Sequence, residues 1–62
     1  MVEFDRNGPS GNIFFILSNA YGELKAAGRM TEYEKMNARV KACGSYDAAL
    51  AVIGEYVELV EV

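Results

Sequence analysis

Apolar and polar positions recur along this chain with two different periods, and the change of period marks its elements. Val2-Glu3-Phe4-Asp5 alternates apolar and charged, the period of a strand with one buried face, so Val2 and Phe4 point inward. From Ile13 the spacing lengthens to three and four. Ile13, Leu17, Ala20 and Leu24 form a stripe with Phe14 and Tyr21 beside it, which predicts a helix over 12–27 with a broad buried face and Gly28 just past its end. Tyr33, Met36, Val40 and Cys43 repeat the helical spacing. They predict a second, amphipathic helix that opens on a capping box of Thr31 and Glu34 and closes at Gly44. A third helix is capped by Ser45, buries Tyr46, Ala49, Leu50 and Ile53, and ends near Gly54. Over 57–62 alternation returns with β-branched residues, which predicts a C-terminal strand with Val57 and Leu59 on one face and Glu58, Val60 and Val62 on the other.

Between the first strand and the first helix lies Asn7-Gly8-Pro9-Ser10-Gly11-Asn12, a strand-to-helix turn. Pro9 fixes its own φ, Gly11 can take positive φ, and either Ser10 or Asn12 can cap the free amides that follow. Two short strands can satisfy their backbone groups only by pairing with each other, and a bare two-stranded sheet needs a covering layer. The predicted fold is therefore α+β: one small domain over 1–62, strand-helix-helix-helix-strand, with the two-stranded sheet covered by three helices.

Four positions stand outside this pattern. Phe15 falls among Ser18, Asn19 and Gly22 on the polar side of the first helix, so it either packs under another element or meets a partner. Gly22 weakens a helix interior and reads as a close-approach position for another helix. Val60 and Val62 are apolar on the face the helices leave uncovered, in a sheet whose strands are both edges; they either fray or associate with a protein partner or a second copy of the chain. Phe15, Val60 and Val62 are the expected interaction surface.

Composition narrows the chemistry. With 62 residues, one cysteine and no histidine, the chain can form no internal disulfide, no usual zinc site and no Cys-His or Ser-His pair. Cys43, on a predicted inward face, is expected to be buried and inert. The local carboxylate pairs, Glu32 with Glu34 and Glu58 with Glu61, belong to a helix start and a terminal strand, and so small a core leaves little room for a cleft. The expectation is a protein without enzymatic activity, cofactor or metal. Six basic against nine acidic residues give a net charge of −3, which disfavours nucleic acid as a partner. The alternative function is a dimeric nucleic-acid-associated regulator using Arg29, Lys35, Arg39 and Lys41 of the second helix, although the acids in its first turn and the bases in its last already suit the helix dipole. The opening turn offers a weak anion site at Ser10, Gly11 and Asn12, without the spacing of a dinucleotide or phosphate loop and with one amide removed by Pro9. The first residues carry no basic segment followed by an apolar run, and no window is apolar enough to span a membrane, so the expected location is the cytoplasm, that of the host cell if the protein is phage-encoded.

Gly8-Pro9-Ser10-Gly11-Asn12-Ile13-Phe14, then Gly44-Ser45-Tyr46-Asp47, then Gly54-Glu55-Tyr56-Val57-Glu58-Leu59, resembles a group of small uncharacterised proteins encoded by phages and prophages. That group pairs a Gly-Pro-x-Gly-Asn-aromatic start with a Gly-Asp-Tyr-like segment and a Phe-Gly-x-Tyr-Val-like ending. The likeness spans nearly the whole chain through short structural motifs, and the chain departs from the pattern at Ser45 and Ile53. It implies a phage or mobile-element origin and an accessory role, and it transfers no active-site residue. The expected function is a non-enzymatic protein-interaction module that binds a host or phage protein, with inhibition of a host defence system as one such role.

Overall fold

The computed structural model describes residues 1–62. Its elements run β1 (Val2–Phe4), a 3-10 turn (Pro9–Gly11), α1 (Ile13–Ala26), α2 (Met30–Lys41), α3 (Tyr46–Ile53) and β2 (Leu59–Glu61). This is the strand-helix-helix-helix-strand α+β order the alternation predicts. The strands pair in parallel, with Val2 opposite Leu59, Glu3 opposite Val60 and Phe4 opposite Glu61. A parallel pair needs a long crossover, which the three helices supply. The ladder is extended at its ends by Val2 N–H donating to Glu58 O and Val62 N–H donating to Phe4 O, both at 2.8 Å.

Val2 and Phe4 from β1, Ile16, Leu17, Ala20 and Leu24 from α1, Met36 from α2 and Leu50 and Ile53 from α3 form the buried cluster. Three assignments within α1 change, Tyr21 being 38% exposed instead of buried. Ile16 is completely buried, whereas Phe14, placed beside the buried stripe by its spacing, is 75% exposed. At 3.6 residues per turn they lie on opposite flanks of the Leu17–Leu24 stripe. The Ile16 flank is covered and the Phe14 flank is not. Spacing locates both flanks but not what packs on them.

The turn before α1 is held by Asp5. Its side chain accepts from Asn7 N–H at 3.0 Å, its carbonyl accepts from Gly8 N–H at 2.9 Å, and its own N–H donates to Ser10 Oγ at 2.8 Å. Gly11 is required by close approach rather than by positive φ. A Cβ there would lie 2.3 Å from Asp5 O and 2.8 Å from both Arg6 Cα and Arg6 O. Asn12, not Ser10, caps α1, its side chain accepting from Phe14 N–H at 2.8 Å.

At the other end of α1, Gly28 adopts φ 72°, donating to Lys25 O at 3.1 Å while Arg29 N–H donates to Leu24 O at 2.7 Å. These paired bonds define a Schellman stop. They also displace the predicted capping box. Because Arg29 already lies against the end of α1, α2 begins at once with Met30, Arg29 takes the N-cap position without a side-chain cap, and Thr31 falls inside the first turn. Arg29 and Glu32 form an ion pair across that turn instead. Ser45 caps α3 as expected, accepting from Ala48 N–H at 3.1 Å. Glu55, Tyr56 and Val57 then continue in turns that donate back to Val52 and Ile53, so β2 starts two residues later than the alternation suggests.

Gly22 is not a helix-packing position, since a Cβ there meets nothing within 4 Å. It carries the entropic cost of a mid-helix glycine without a close neighbour to justify it. Gly22→Ala is expected to stabilise the protein by about 0.4–1 kcal/mol, read as a higher midpoint in urea unfolding at an unchanged slope.

Candidate functional site

The helical hairpin places α1 and α2 side by side, joined by a short loop, and the two do not close completely along one edge. Between them runs a groove of about 530 Å³ with Phe14, Leu17, Tyr21, Tyr33 and Val40 among its walls. Leu17 lies in the buried cluster and Val40 packs against it, while Phe14 and Tyr21 are 75% and 38% exposed. Tyr21 and Tyr33, both lining the groove, meet edge to face with ring centroids 5.0 Å apart. Beyond Ile13 and Val40 a shallower depression of about 360 Å³ continues toward Cys43 and Tyr46. The groove lies on the surface between two helices, where the little room that so small a core leaves for a cleft does not limit it. Its signal in the sequence was Phe14 and Tyr21, seven positions apart, misread as core.

The residues singled out in the sequence are dispersed. Phe15 is 47% exposed on the outer side of α1, about 100° around the helix from Phe14. Val60 is half-buried opposite Glu3, Val62 is 71% exposed, and β2 packs chiefly on β1. Ser10, Gly11 and Asn12 spend much of their polar capacity on the turn itself. Ser10 Oγ takes Asp5 N–H, Gly11 N–H donates to Gly8 O at 3.0 Å and Asn12 N–H to Pro9 O at 3.3 Å. Of the basic residues of α2 and its N-cap, Arg29 is paired with Glu32, and Arg39 grips both oxygens of Glu55 at 2.8 and 2.9 Å. Only Lys35 and Lys41 of that set are outside an ion pair. Cys43 is half-buried rather than buried, because α2 ends at Lys41 and the thiol turns back to donate to Arg39 O at 3.3 Å.

Sequence reading missed the role of Arg6. Its guanidinium donates to Asp47 at 2.7 Å and to Glu61 at 3.2 Å and lies 5.4 Å over the Tyr46 ring, whose hydroxyl donates to Gly11 O. The turn after β1, the start of α3 and the end of β2 are thus clasped by one side chain. The hydrogen bond that Arg6 donates to Asp47, and then the one to Glu61, raise its pKa above the ordinary value, so the clasp stays cationic at every physiological pH.

Two carboxylates shift the other way. Hydrogen bonding from Arg39 lowers the pKa of Glu55, and hydrogen bonding from Arg29 lowers that of Glu32. A folded-state pKa below the unfolded one stabilises the protein above the ordinary value of 4.5, and that contribution disappears as pH falls through the lower folded value. The urea midpoint is therefore expected to drop as pH falls below about 5, and to drop less in Glu55→Gln. Both pairs are exposed, so added salt shrinks the difference between the two proteins.

No helix is long and apolar enough to cross a membrane, and no three His, Cys, Asp or Glu side chains gather as a metal site. Comparison with family models, with curated proteins and with solved structures finds no match.

Proposed function

We propose that the protein is a non-enzymatic interaction module that holds a protein partner in the α1/α2 groove, in the manner of a phage or prophage accessory factor acting on a host or phage protein. The observation that carries this reading is Phe14, 75% exposed at the mouth of an apolar groove of about 530 Å³. An aromatic ring held in water costs free energy that a partner recovers, and exposed aromatics beside a concave apolar surface are the usual anchors of protein contacts. The nucleic-acid alternative has less to draw on, since Arg29 and Arg39 are already committed to Glu32 and Glu55. Blocking of a host defence protein is one role that such a module would serve.

The test is capture from bacterial host lysate by the immobilised protein, compared among wild type, Phe14→Ala and Phe15→Ala. A discrete partner retained by wild type and Phe15→Ala and lost by Phe14→Ala is the expected result. Loss with Phe15→Ala alone would move the contact to the outer face of α1, and identical retention by all three would remove both surfaces.

A further inference from the structure

The six basic side chains divide cleanly. Arg6 pairs with Asp47 and Glu61, Arg29 with Glu32 and Arg39 with Glu55, while none of the three lysines takes part in an ion pair. Two of those lysines belong to the groove. Lys41 lines it, and the Lys25 ammonium lies 5.7 Å from the centroid of Tyr21, which also lines it. No carboxylate is among its walls, Glu34 on the same helix lying outside them. Because the hairpin runs antiparallel, Lys41 at the end of α2 stands by the Phe14 end and Lys25 by the other, separated by about 16 Å of helix rise. An otherwise acidic chain of net charge −3 thus presents an apolar trough with an uncompensated cation at each end.

We propose that the groove binds an amphipathic helix of another protein whose apolar anchors are flanked at both ends by acidic residues; this rests on the interaction-module reading above. A trough between two helices accepts a third through anchors repeating at three, four and seven positions, the last being the spacing of Phe14 and Tyr21 themselves. Charge decides the partner. Acidic ends meet Lys25 and Lys41 and are repelled by most of the remaining surface, which selects this docking site and steers its orientation. A second copy of the chain fits less well, since a two-fold pairing through this face would set lysine rim against lysine rim.

The probes are two synthetic helical peptides of about 16 residues with the same Leu and Phe anchors, one with glutamates and one with lysines at both ends, titrated while amide shifts are followed. The glutamate peptide is expected to move the amides of Phe14, Tyr21 and Val40 and the lysine peptide to leave them unmoved. Lys25→Glu/Lys41→Glu should weaken the glutamate peptide at least about tenfold, and Lys25→Gln/Lys41→Gln, which keeps good helix formers, should weaken it less. Thermal melting of each variant guards against loss of fold. An equal response to both peptides, no response to either, or a concentration-dependent dimer by light scattering that Phe14→Asp dissociates would overturn the proposal. Capture that depends on Phe14 but ignores both lysine variants would overturn it too, and would leave the interaction module standing.

Discussion

Gly11→Ala is expected to be the most damaging small substitution in the chain, lowering stability by about 3 kcal/mol or more. The new methyl carbon would sit 2.3 Å from a backbone carbonyl oxygen and 2.8 Å from a backbone Cα, neither of which can swing aside like a flexible side chain. Relief would require lifting Asp5 and Arg6 off the turn. That would pull Ser10 from Asp5 N–H and Arg6 from Asp47 and Glu61, loosening three elements through one contact. A domain of this size holds only about 3–9 kcal/mol in total. Circular dichroism of Gly11→Ala should therefore show a melting midpoint lowered by roughly 12–24 °C or a chain largely unfolded at room temperature. A midpoint within a few degrees of wild type would mean that the turn is much softer than its hydrogen bonds imply.

The second large effect separates two neighbouring hydrophobic residues of α1. Ile16→Ala should cost about 2–5 kcal/mol, since Ile16 is wholly enclosed and its removal leaves a cavity inside the buried cluster. Phe14→Ala should change stability by no more than about 0.5 kcal/mol, although it removes the larger side chain. Urea unfolding of the two variants side by side checks the contrast. Equal losses would show that Phe14 belongs to the core and would leave the groove without its anchor. The contrast also makes Phe14→Ala a usable probe of binding, because lost capture cannot then be blamed on lost structure.

What the alternation of residues could disclose was whatever is decided within a few positions. Ser45 caps α3 and Gly28 ends α1 because each bond spans one helical turn, and the residue types alone announce them. The order of elements followed from the same local signals. Thr31 and Glu34 misled for an equally local reason: a sound capping motif lost to the preceding helix stop, which had already set the first residue of α2. Phe14 and Ile16 illustrate the other kind of failure. Both flank the same stripe, and only the position of α2 and the strands decides which is covered. The groove is a property of that packing, so Phe14 and Tyr21 were legible as helix-face residues and not as its walls. Arg6 was invisible because its partners are 41 and 55 positions away.

The pairing of β1 with β2 joins the two most distant elements in the chain, Val2 lying opposite Leu59. The α1/α2 hairpin, by contrast, closes across a short loop and can form early from neighbouring residues. Loop-closure entropy is larger for the longer loop, so the sheet gains little until the helices have already brought its strands together. Topology thereby predicts an order of events in folding: the face proposed to bind a partner assembles first from local contacts, and the parallel ladder, with the Arg6 clasp across its end, closes last.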